Sequence, residues 1–257
     1  MPFDFKRMPK PVKVRKVLVI NFQTPAIPAE WRHVNAMAEE FTEGMIQASQ
    51  KILVYQTIRI LDVPLYPVFT DGRQYNDVTW KQAMQNSQAA LRDAHGNFLL
   101  ADYQRIIDDY EVITAIQGNF IDEVWMFGGP YFGFYESRMA GQKAFWCNAP
   151  GIEQNSRRFV MMGFNYERGT REMMHSFAHR AESILAVHFG SQQFLQQLYN
   201  HQPTAAPKNE FEQWLLEHGT VHRTPGGVDY GQDEYAWVGA LKTKWWLPVI
   251  DPNMVKV

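Results

Sequence analysis

Cysteine is almost missing from this chain: of 257 residues, only Cys147 carries a thiol. A single cysteine excludes an intramolecular disulfide and any zinc or iron–sulfur site built from several thiolates. No GxxxxGK[ST] phosphate loop and no GxSxG elbow occurs. GGPYFG (128–133) has the wrong glycine spacing for a dinucleotide fingerprint and is not followed directly by a helix pattern. ATP, NAD and serine-nucleophile chemistry therefore have no anchor here. A strong charge of either sign is also lacking. The formal net charge is −2 with no strongly basic block, so no nucleic-acid or anionic-membrane surface is implied. Long apolar runs are absent too. In MPFDFKRMPKPVKVRKVLVINF the only continuous one is VLVI, too short for a signal-peptide core or a spanning helix. The expectation is a soluble protein without a membrane partner, cytoplasmic by default, with a secreted mature form as the alternative.

The composition is 46% hydrophobic and 20% charged, that of a globular chain with enough residues to bury a core unaided. Residues 1–15 read as a basic tail. Val17–Ile20, rich in β-branched residues, reads as a buried strand, and a helix follows across 34–50. A second strand falls within 51–69. Tyr103, Ile106, Ile107 and Tyr110 are at helical spacing in 101–117, closed by Gly118-Asn119. EVWMFGG (123–129) and RFVMMGFN (158–165) read as third and fourth strands, and their adjacency as parallel neighbours is expected. Between them, 128–158 is rich in glycine and aromatics and has no clear period. It is expected to be a cleft wall or lid, with Trp146 or Tyr131 facing a ligand. Further helices fall at 191–200 and 209–218, and HRTPGGVDYGQD (222–233) reads as a loop.

Strands alternating with helices predict an α/β fold with a mostly parallel sheet flanked by helices and a helical C-terminal part. The division expected is a core over 16–200 and a C-terminal extension over 201–257 packed on it. Ligands of such folds gather at strand carboxyl ends, here GGPYFGFYES and FNYERG, each carrying a Tyr-Glu pair.

REMMHSFAHRAESILAVHF (171–189) holds the sharpest pattern. On a helix, Glu172, His175, His179 and Glu182 fall within an arc of about 80°, opposite Met173, Phe177, Ala181 and Ile184. The plain alternative is a wet face, with Glu172–His175 and His179–Glu182 as solvated pairs. The functional alternative places the stripe in a cleft. His175 and His179 have the i,i+4 spacing of the two imidazoles in an HExxH zinc helix, but Ser176 stands where that motif has its glutamate. His222 is a candidate third ligand, giving the three-protein-ligand pattern of an open zinc site. His188 reads as a core histidine, and His201 and His218 as helix-terminal ones.

Glu136 and Glu167 are candidate acid–base groups, and as a pair they would suit a glycosidase. Trp125, Tyr131, Tyr135, Trp146 and Tyr166 are candidate platforms for sugar faces. As plain structure, the two glutamates are loop ion pairs with Arg138 and Arg168. Cys147 reads as a buried thiol rather than a nucleophile.

FGGPYFGFYES (127–137), FNYERG (164–169) and HRAES (179–183) resemble the motifs of an uncharacterised bacterial protein family. A looser echo lies in GTVH and WWLPVIDPN. The resemblance implies that residues from about 16 to 190 form one unit, and it carries no reaction with it.

The leading expectation is a hydrolase acting on a small-molecule, sugar or peptide substrate. Zinc, or another divalent ion, would be held by His175, His179 and His222, with Glu136 or Glu167 as the base on metal-bound water. Glu182 would orient His179, and Arg138 or Arg168 would steady an anionic transition state. The rivals are a metal-free glycosidase using Glu136 and Glu167, and a non-catalytic sugar- or peptide-binding protein.

Overall fold

A computed structural model describes residues 13–202, 204–222 and 234–257. Among these a six-stranded sheet has the order β2-β1-β3-β6-β4-β5. Its strands are β1 Lys13–Asn21, β2 Leu53–Asp62, β3 Glu123–Gly128, β4 Ser137–Gly141, β5 Ile152–Glu153 and β6 Phe159–Asn165. The first strand begins inside the segment read as tail, and residues 1–12 lie outside the described ones.

The apolar run of β1 has a simple cause. Val17 and Val19 enter the core on one face, while Leu18 and Ile20 enter a second core on the other. A strand buried on both faces needs no polar alternation. β1 runs parallel to β2 and β3, and β3 runs parallel to β6 with Val124 opposite Met161. The expected adjacency of the third and fourth strands is thus found. The stretch between them is not a plain loop, since it contributes β4, antiparallel to β6, and β5 beside it. Both are short, and β5 has only two residues, which is why no periodicity shows in the sequence.

Helix α1 (Val34–Ala48) packs Met37, Phe41 and Met45 against the face holding Val17, Tyr55, Trp125 and Phe127. Helices α2 (Asp77–Gln85), α3 (Tyr103–Asp109) and α4 (Val112–Gln117) cover the other face. Residues 101–117 are two helices rather than one, because Glu111 takes a left-handed conformation (φ 50°) that breaks the ladder. Connections leave β1 on both sides, so the carboxyl ends of β1 and β3 form a topological switch point.

Helix α5 (Thr170–Phe189) is central to the molecule. Its first turn is capped by Glu172, which accepts from the Gly169 amide at 2.9 Å rather than pairing with His175. Gly190, at φ 66°, ends it. Beyond it lie α6 (Gln192–Tyr199), α7 (Glu210–His218), α8 (Glu234–Gly239) and α9 (Trp246–Ile250). Trp214, Trp237 and Trp246 from these elements, with Trp245 just before α9, join Phe177, Ala181 and Leu185 of α5 in one core.

This packing overturns the wet-face reading of α5. His175 is 3% exposed, His179 7% and Glu182 2%. Helical periodicity separates polar from apolar faces, but a later segment of chain covers the polar one. His188, expected inside, is exposed beside Phe189 near the helix end. Among the described residues no helix is long and apolar enough to cross a membrane.

Candidate metal centre

Three imidazoles converge where α5 meets the chain after α7. One ring nitrogen each from His175, His179 and His222 lies within 4.8 Å of the others, and the three residues together can hold a metal ion. His175 and His179, one turn apart on α5, bring their Nε2 atoms to 3.1 Å. With Zn–N bonds of about 2.0–2.1 Å, a tetrahedral ion sets neighbouring nitrogens about 3.3–3.4 Å apart. The α5 pair is therefore close to ligand spacing, and His222 has a small distance to close.

The partner of the His175 ring suits the same use. His175 Nδ1 lies 3.2 Å from Glu234 Oε1 at the start of α8. A His175 tautomer with its proton on Nδ1 would donate to this carboxylate and leave the Nε2 lone pair for a ligand bond. Burial pulls the His179 pKa down to about 3, helped by the neighbouring His175 and His222 rings. Its ring is neutral at pH 7, the state a metal ligand requires.

Glu182 sits behind this pair. Burial pushes its pKa up to about 7, against the opposing hydrogen bonds of the Tyr199 hydroxyl and the Val221 amide. Its Oε1 accepts from Val221 N at 3.1 Å, and its Oε2 accepts from Tyr199. Oε2 also lies 3.9 Å from His179 Nδ1, too far for a hydrogen bond. Glu182 thus grips the residue next to His222 more firmly than it grips His179. The Tyr199 ring completes that seat, with its centroid 5.6 Å from that of His222.

No family model, curated protein or solved structure matches the chain. The chemistry of the centre must be read from its own residues.

Glu136, just before β4, is half-buried with its Oε2 3.8 Å from His179 Nε2. The Asn148 side chain donates to that oxygen at 2.7 Å, and the Asn148 backbone amide donates to the Ser183 hydroxyl of α5 at 3.2 Å. Asn148 takes a left-handed backbone (φ 54°), which asparagine tolerates better than most residues. The remaining candidates have other partners or linings. Glu167 is exposed on the turn before α5, and its backbone amide bonds Asn165. Arg168, also exposed, lines a 180 Å³ cavity shared with Glu136, Tyr131 and Ser176. Arg138 donates to the Pro150 carbonyl and lies over the Tyr103 and Tyr135 rings.

A second cavity, of 440 Å³, is lined by His179, His222, Asn148, Tyr199 and Trp146. Trp146 is 60% exposed, whereas Trp125 and Tyr166 are core residues. Cys147 is fully buried, and burial pushes its thiol up to about 11. Residues 223–233 of the expected loop lie outside the described ones.

Sequence reading missed Glu234, Tyr199 and Asn148. Glu234 is 59 residues from His175, and no local spacing announces so distant a partner.

Proposed function

We propose that the protein is a metal-dependent hydrolase, with His175, His179 and His222 as ligands to a divalent ion and Glu136 as general base. One observation carries the reading: three imidazole nitrogens converge within 4.8 Å, and a carboxylate stands 3.8 Å from one of them. An all-imidazole set of three, with a position left for water or substrate, favours zinc. The ion supplies Lewis-acid activation of water and of the substrate carbonyl.

The chain's own residues do the rest. Glu234 fixes the His175 tautomer, and Glu182 with Tyr199 seats the segment bearing His222. Asn148 holds the Glu136 carboxylate beside the imidazole cluster through the oxygen nearest His179. Arg168, exposed and lining the smaller cavity, would meet a negative charge there. Glu167 and Arg138 take no part in this arrangement.

Glu136→Gln separates ligand from base. The variant should keep its zinc and lose at least about a hundredfold in kcat on activated ester or amide substrates, the range of one acid–base group. Wild-type protein loaded with zinc yet inert on every ester and amide tried would overturn the hydrolase reading.

A further inference from the structure

The metal reading leaves the substrate open, and the two cavities narrow it. They adjoin at the reaction centre. Glu136 lines the smaller, His179 and Asn148 line the larger, and Glu136 contacts both of these residues. A substrate spanning the centre therefore places one group on each side of the bond to be cut.

The larger side has a definite chemistry. No lysine or arginine is among its described lining residues. Its carboxylate, Glu182, has both oxygens engaged by Val221 and Tyr199. Among the described lining residues an anionic group finds no side-chain counter-charge, and a cation finds no open carboxylate. What it offers instead is one large exposed aromatic ring, Trp146, and the amides of Asn148, Gln192 and Gln196. The two glutamines are one turn apart on α6, so they share a helix face. An aromatic ring and planar amides lining one cavity suit a ring with apolar C–H faces and hydroxyls around its edge. At 440 Å³ the space is that of a small-molecule pocket. The smaller side, 180 Å³ and walled by Phe132, Gly129 and Gly133, has room for a compact acyl group.

We propose that the substrate is an acylated neutral carbohydrate, an O-acyl or N-acyl sugar. Its ring lies against Trp146, and its acyl group lies in the cavity beside Glu136. This rests on the hydrolase reading for the reaction, but not for sugar binding. In the reaction, Glu136 takes a proton from water as the water oxygen bonds to the acyl carbon. The acyl bond to the sugar oxygen or nitrogen then breaks, the electron pair stays on that atom, and the proton is returned to it. The products are a carboxylic acid and a sugar with a free hydroxyl or amine.

The test is calorimetric titration of the full chain, zinc-loaded and zinc-stripped, through millimolar concentrations of four probes. These are N-acetylglucosamine, methyl β-glucoside, glucose 6-phosphate and N-acetyl-dialanine amide. N-acetylglucosamine is expected to bind both forms, and glucose 6-phosphate more weakly. Trp146→Ala is expected to weaken N-acetylglucosamine about tenfold, the scale of one aromatic contact. Because Trp146 is exposed, its removal spares the core, and an unchanged melting temperature checks this. Absence of sugar binding, tighter binding of the peptide amide, or full binding by Trp146→Ala would each overturn the sugar assignment. Zinc content, measured on the same samples, reads the metal assignment separately.

Discussion

Glu182 of α5 accepts the backbone amide of Val221 at 3.1 Å, so a carboxylate on one candidate ligand helix fixes the chain position of another ligand, His222. The two residues are 39 apart in sequence. The relationship turns a helix face into part of a three-sided site, because α5 alone supplies only two imidazoles.

Loss of that grip should act on metal affinity first. Glu182→Ala is expected to weaken zinc about 10- to 100-fold, as removal of a supporting contact behind a ligand does elsewhere. Competition with a chromophoric chelator measures it. An unchanged affinity would mean that His222 is seated by other contacts.

Gly163 positions Glu136, the proposed base, in a similar way. A Cβ there would come within 2.5 Å of the Phe134 Cβ and the Tyr135 carbonyl, and its amide already bonds the Glu136 carbonyl at 3.3 Å. Gly163→Ala should therefore push 134–136 outward, costing about 1–3 kcal/mol of stability by overpacking. Turnover should fall with it, while zinc content holds. Denaturant melts and kinetics on one preparation check both halves.

How much of this was legible in the sequence depended on how local the cause was. β1, β3, β6 and α5 follow from runs and periods within single segments; the structure returns β3, β6 and α5 nearly to the residue, whereas β1 starts four residues before its apolar run. The i,i+4 spacing of His175 and His179 was legible for the same reason, as was the candidacy of His222. β4 and β5 were not, because strands this short gain their pairing from β6 rather than from their own pattern. The covering of the polar stripe was equally hidden. It arises from contacts such as Glu182–Val221 and His175–Glu234, made between segments that no periodicity connects.

The buried pair under the site gives a stability prediction. Arg180, fully buried on α5, bonds Glu123 of β3 at 3.0 Å and the Val249 carbonyl at 3.2 Å. Arg180→Met would leave the Glu123 carboxylate buried without its cation, at a cost of about 3–5 kcal/mol. Thermal melts should show a large loss. The double variant Glu123→Gln, Arg180→Met should recover part of it.

Cys147 should be chemically silent in the native protein. Its thiol is fully buried beside Ser137, and burial holds its pKa up at about 11, so thiolate is scarce at pH 8. A disulfide reagent is expected to titrate the thiol only after unfolding. Rapid native labelling would contradict this placement.

The central claim is that three imidazoles hold one metal, and zinc titration of metal-free protein tests it most directly. Wild type should bind about one ion per chain tightly, as three-ligand zinc sites do. His179→Ala and His222→Ala should each lose that binding while keeping the wild-type circular dichroism spectrum. Zinc bound equally well by both variants, or not bound by the wild type, would contradict the account and leave the His175–His179 contact as an ordinary hydrogen bond.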